Sequence, residues 1–249
     1  MIQYPVNGLA LFQSTLQQAM QADTLDTIAA HIRDGTVVIL KNAIPAAQAL
    51  HLRDSIVAWR SQRDVVSFSV NTNASGINFH RIDAHPEKSQ LPHIFHQHGF
   101  GETNSLVPEF SRELLAIATP MLNLQNAVAH TRYSFSMPEV RIKALQYPCG
   151  GGFLMKHTHP IDPQGVGLIL ALSKSGSDFG QGGTTFVTPA GFVDTSAWHD
   201  AGDLILFRYD LEHAVGPVDS DTPLDWNSEK GRWTLVLELL STHNRSEAA

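Results

Sequence analysis

The stretch VRIKALQYPCGGGFLMKHTHPIDPQGVGLILALS, residues 140–173, decides the fold class. Its two ends, VRIKALQYP and GVGLILALS, are strand-length runs rich in aliphatic and β-branched residues, parted by glycine and proline. Three more such runs follow at short intervals: GTTFVTP (183–189), GDLILFRY (202–209) and RWTLVLELL (232–240). Many short strands punctuated by turn signals predict a barrel or sandwich. The C-terminal half is therefore read as the β core.

Upstream the pattern changes to helical spacing. Phe12, Leu16, Met20, Leu25, Ile28 and Ile32 form a stripe over residues 9–33 that predicts one or two helices. Asp34 and Gly35 break it before TVVILKN, whose β-branched run suits a buried strand. Pro45 opens a second helix to about Trp59, with Ala46, Leu50, Ile56 and Val57 as its buried face. Residues 61–105 are polar, lack periodicity and are read as irregular with short strands. Pro108 starts a third helix, packed through Phe110, Leu114, Leu115, Ile117 and Ala118, until Pro120 disturbs it. The whole is mainly β with flanking helices, in one domain.

Composition bounds the function classes. A hydrophobic fraction of 43% supplies ample core, which excludes a largely disordered chain. The formal charge of −7 and the lack of any Lys/Arg run argue against nucleic acid as a partner. No apolar stretch approaches membrane-spanning length and no targeting segment is visible, so no membrane association is expected. Cys149, the single cysteine, cannot form an internal disulfide, and a cytoplasmic location is expected.

His157 and His159 follow the glycine-rich turn Gly150–Gly152, with Asp162 close behind. Residues two apart in an extended strand point the same way, so both imidazoles can face one ion. Imidazole suits iron, zinc, copper and nickel alike. His213 stands after the apolar run GDLILFRY, where a pocket mouth would lie. Arg232 and Thr234 flank Trp233 and share one face of the last strand, and an arginine beside a hydroxyl can grip a carboxylate. The three glycines lack a following helix and a phosphate-binding lysine, and are read as a turn.

Taken in order, these motifs resemble those of the Fe(II)/2-oxoglutarate-dependent oxygenases, over roughly the last hundred residues. The resemblance implies a double-stranded β-helix, or jelly-roll, core at residues 136–245, with residues 1–135 as helical support and pocket cover. It implies Fe(II) held by His157 and His213, and 2-oxoglutarate gripped by Arg232 and Thr234. It further implies oxidation of a C–H bond in a small-molecule substrate, coupled to conversion of 2-oxoglutarate to succinate.

This chain departs from the family at position 159, where a carboxylate is usual. Three outcomes stay open: His159 is itself the third ligand, Asp162 supplies a carboxylate instead, or the position is left to water. Tyr147 and Gln146 are candidate contacts to 2-oxoglutarate. Arg141, His98 and Arg81 are candidate substrate contacts, with a salt bridge the competing reading of Arg141 and a loop or pocket-wall role that of His98. Two alternatives to the oxygenase are a three-histidine, cupin-type dioxygenase independent of 2-oxoglutarate, and a non-catalytic jelly-roll module that binds metal or ligand.

Overall fold

The structure is a computed structural model that describes residues 2–62, 66–67, 76–82, 91–100, 111–137 and 140–239; for 66–67 and 76–82 it describes the backbone alone. The N-terminal part runs β1 (Ile2–Gln3), β2 (Leu9–Gln13), α1 (Leu16–Ala19), α2 (Ala22–Arg33), β3 (Val37–Lys41) and α3 (Ala46–Ser61). β4 (Val66–Ser67), β5 (Gly76–Ile82), β6 (His93–Phe100) and α4 (Ser111–Ala129) follow. The C-terminal part is β7 (Val140–Pro148), β8 (Gly152–His157), β9 (Val166–Ala171), β10 (Thr184–Thr188), β11 (Gly191–Asp194), β12 (Leu204–Arg208), β13 (Glu212–Val218) and β14 (Gly231–Leu239).

Hydrogen bonding links these strands in the order β1-β2-β3-β12-β9-β14-β7-β6-β8-β13-β10-β11. β6 pairs with both β7 and β8, and there the sheet turns from one layer into the next. In β14 the side chains alternate. Trp233, Leu235, Leu237 and Leu239 share a core with Ile28 and Ile32 of α2, Leu52 and Ile56 of α3, and Ile117 and Met121 of α4. Arg232, Thr234, Val236 and Glu238 take the opposite face. They stand in register with Tyr147, Leu145, Lys143 and Arg141 of β7. On that inner face Ile205, Phe207 and Tyr209 meet Phe186 and Val193 of the second layer, and Tyr147 meets Val215. Helices cover one side of the larger layer, and the smaller layer covers the other.

Four expectations need correction. Residues 9–13 form a strand, parallel to β3. Leu9 and Leu11 enter one core and Ala10 and Phe12 the other, so a doubly buried strand shows no polar alternation. The buried face of α3 is Ala49, Leu52, Ile56 and Arg60, whereas Ala46 is exposed. Pro120 lies within α4, which continues to Ala129 because Met121, Leu122, Leu124 and Val128 are packed in the core. The N-terminal half is more than helical support, since β1–β3, β5 and β6 are strands of the same sheet. Pro108 and Phe110 lie outside the described residues.

Candidate active site

Register brings the metal-type ligands together. His213 of β13 pairs directly with His157 at the end of β8, and His159 follows two residues after His157, across Thr158, and joins the same cluster. One ligand nitrogen from each of the three imidazoles lies within 4.8 Å of the others. Ring centroids are 4.2 Å apart for His157 and His213, 4.8 Å for His157 and His159, and 5.3 Å for His159 and His213. His159 completes this cluster, and Asp162 is exposed and outside it.

Backbone carbonyls orient two of the rings. Nδ1 of His157 is 2.9 Å from the Met155 carbonyl, and Nδ1 of His213 is 2.8 Å from that of Leu211. A carbonyl only accepts, so each Nδ1 carries the proton and each Nε2 keeps its lone pair. Burial, reinforced by neighbouring His157, lowers the His213 imidazole to about 3, against the opposing pull of the Leu211 carbonyl. Neutral imidazole is the form that binds metal. Aromatic rings hold the cluster in place: Tyr209 stacks on His159 at 4.3 Å and 14°, and Phe207 lies 4.8 Å from His213.

Arg232 is on the same inner face and only 4% exposed. Its Nη2 donates to Thr184 Oγ1 at 2.6 Å and to His199 Nδ1 at 3.4 Å, and its guanidinium carbon lies 5.9 Å from the Tyr147 ring centre. Among the described residues no carboxylate comes within ion-pair distance of it, although Asp194 acts on it from further away. Burial lowers its guanidinium to about 10, which leaves it cationic near neutral pH. A narrow recess beside it is lined by Gly183, Thr184, Thr195, Ser196 and His199. A Cβ on Gly183 would lie 2.0 Å from Ser196 Oγ, so only glycine fits there. Thr184 and Phe186 are two residues apart, about 7 Å along the strand, and Phe186 is in register with His213. The Arg232 guanidinium, held by Thr184, and the imidazole beside Phe186 thus approach β10 two residues apart, both facing the space between the layers.

The other candidates divide by sheet face. Tyr147 is inner-facing and fully buried, which raises its phenol well above the ordinary value. Thr234 also faces inward, but the hydroxyl bonded to Arg232 belongs to Thr184. Arg141 is inner-facing by register with Glu238 and buried.

Two candidates fall on the wrong face. Gln146 points toward α3, where its Oε1 accepts from Arg60 and its Nε2 donates to the carbonyls of Ser228 and Lys230. His98 stacks on Trp233 at 5.1 Å on the same helix-covered side. Residue parity places both away from the inner wall. Arg81 is in β5, with its side chain outside the described residues. Sequence reasoning missed Thr184 and His199. GGTTF advertised the first without revealing its face, and nothing in WHDAGD marked the second.

No protein-family model and no curated protein sequence matches this chain. Solved structures do. A Pseudomonas putida prolyl-4-hydroxylase aligns over 87% of this chain and 98% of its own at 15% identity and TM-score 0.57. A Trichoplax adhaerens prolyl hydroxylase, in complex with a peptide fragment of the hypoxia inducible factor oxygen degradation domain, aligns over 95% and 97% at 12% identity and TM-score 0.59. The epimerase SnoN, in complex with Fe3+, α-ketoglutarate and nogalamycin RO, aligns over 88% and 84% at 11% identity and TM-score 0.54. The fold is a double-stranded β-helix. In that double-stranded β-helix, the imidazole cluster and Arg232 both face the space between the layers.

Proposed function

We propose that this protein is a non-haem Fe(II), 2-oxoglutarate-dependent dioxygenase that oxidises a C–H bond of a small organic substrate. The observation that carries this reading is the joint placement, facing the space between the two layers, of three imidazoles and a buried guanidinium with no carboxylate partner among the described residues. SnoN, which shares the fold, binds both iron and α-ketoglutarate. The donor set fits iron: three neutral imidazoles are acceptable ligands, and two have tautomers set by carbonyls for Nε2 ligation. Iron, when bound, supplies the redox chemistry toward oxygen and 2-oxoglutarate.

The chain's own residues bind and orient. His157, His159 and His213 hold the metal, and Tyr209 and Phe207 fix two of their rings. Arg232 and Thr184 bind the distal carboxylate of 2-oxoglutarate, with Thr234 and Tyr147 lining the same wall. Three imidazoles cancel none of the metal's charge, which favours a dianionic cosubstrate. Phe186, Phe207 and Val215 line the wall with apolar surface and exclude water. Arg141 is the proposed anchor for an acidic group of the substrate. With Cys149 the single cysteine, the cytoplasm is the proposed compartment.

The test is succinate formation and oxygen consumption across a panel of small organic acids. Both are expected to require Fe(II) and 2-oxoglutarate, to vanish in His213→Ala and to fall sharply in Arg232→Ala. Turnover without 2-oxoglutarate that is indifferent to Arg232→Ala would establish the three-histidine dioxygenase instead. Stoichiometric ligand binding with no oxygen consumption would establish a non-catalytic module.

A further inference from the structure

We infer that His199 is a positioning residue: a neutral acceptor that aims the Arg232 guanidinium at the recess without cancelling its charge. This rests on the 2-oxoglutarate reading and adds a residue outside the ligand set. The geometry begins with Nε2 of His199, which lies 3.1 Å from the carbonyl of Ile169 and 3.1 Å from that of Asp203. Both partners only accept, so Nε2 carries the proton. In a neutral ring Nδ1 then keeps its lone pair, and Nδ1 is the atom that faces Arg232 Nη2 at 3.4 Å. Burial, with Arg232 and more weakly Lys41 beside it, holds the imidazole at about 3, so it stays neutral through the physiological range.

The ring is held by a stapled loop. Thr195 donates from both its backbone N–H and its Oγ1 to the Thr184 carbonyl, and the His199 N–H returns to the Thr195 carbonyl at 3.1 Å. At the other end Lys41 of β3 binds the Asp203 carboxylate and donates to the Trp198 carbonyl at 2.7 Å. Asp203 also accepts from the backbone N–H groups of Asn42 and Asp200. The segment carrying His199 is therefore tied to the same β10 residue whose hydroxyl shares Arg232 Nη2.

The choice of imidazole has a physical reason. A carboxylate at this position would pair with Arg232 and compete with an incoming anion. An apolar residue would leave Nη2 with Thr184 alone. A neutral lone pair satisfies the donor and leaves the positive charge for the ligand.

The experiment measures 2-oxoglutarate affinity by calorimetry on Mn(II)-loaded protein under nitrogen, beside the Michaelis constant of the Fe(II) enzyme, for wild type and three variants. His199→Leu removes the acceptor, His199→Asn offers an amide oxygen near the Nδ1 position, and His199→Asp offers a charged one of the same size. Affinity is expected to drop about tenfold or more in the Leu variant, with kcat within a few-fold of wild type. The Asn variant is expected to recover most of the loss, and the Asp variant to bind at least about tenfold more weakly than Asn. If Leu does not fold, the Asn and Asp pair still separates charge from shape.

Equal affinities in Asn and Asp, or losses that follow only the melting temperatures, would overturn the positioning role while leaving the functional reading intact. A wild-type protein that binds no 2-oxoglutarate would overturn both.

Discussion

At the proposed iron site, His159 in the place of a carboxylate would change the charge of the metal centre and also its support. A carboxylate ligand would neutralise one of the ion's two charges and would need hydrogen bonds to orient it. His159 neutralises none and is oriented instead by the Tyr209 ring, 4.3 Å away and nearly parallel. His159→Ala is therefore expected to weaken Fe(II) or Zn(II) binding by more than about 100-fold, beyond what the loss of an outer hydrogen-bonding partner costs. Asp162→Ala, exposed and outside the cluster, should leave affinity unchanged. Competition against a chromophoric chelator separates the two, and a reversed order would make Asp162 the ligand. The clustering of His157, His159 and His213 and the inward placement of Arg232 were legible because spacing and strand ends leave a mark in one dimension. Thr184 and His199 were not, because which face a residue takes in a doubly buried strand, or which carbonyls close on a loop imidazole, depends on partners far away in the chain. Gln146 and His98 were misjudged for the same reason.

At the scale of elements, the strands were legible where glycine and proline bounded β-branched runs, as at β9, β12 and β14. They were illegible where both faces are apolar, as at β2, or polar and histidine-rich, as at β6, whose His96 and His98 are nonetheless buried. β9 carries a device that links fold to site. Gly167 faces inward opposite Phe207, and a Cβ there would lie 2.3 Å from Phe207 Cζ and 2.8 Å from Tyr209 Cδ2. These are the rings that contact His213 and His159. Gly167→Ala forces them to shift, so a destabilisation of about 1–3 kcal/mol is expected, together with a weaker metal site. Urea unfolding and metal titration read the two effects. A variant with wild-type metal affinity would show that the rings do not hold the imidazoles.

For the molecule as a whole, the same burial that builds the site makes folding sensitive to acid. His98 is fully enclosed, and burial first, then Arg60 and His96, holds its imidazole well below the ordinary value. His199 is held at about 3, and in metal-free protein His213 joins it at about 3. In the unfolded chain each returns to about 6.5. Above that value neither state carries the proton and these groups add no pH dependence. As pH falls below it, the unfolded chain takes up protons that the folded one refuses. Stability therefore declines by up to roughly 1.4 kcal/mol per pH unit for each such histidine, until the folded pKa is reached. Carboxylates remain mostly ionised down to about pH 5, so the window from pH 7 to 5 isolates the histidines. The urea midpoint of metal-free protein is expected to fall across it with an unchanged slope, and His98→Gln should make the decline shallower by one histidine's share. A midpoint that stays level from pH 7 to 5 would mean that these imidazoles are reached by water and protonate without unfolding, which the packing of His98 between Trp233 and the Ala144 carbonyl argues against.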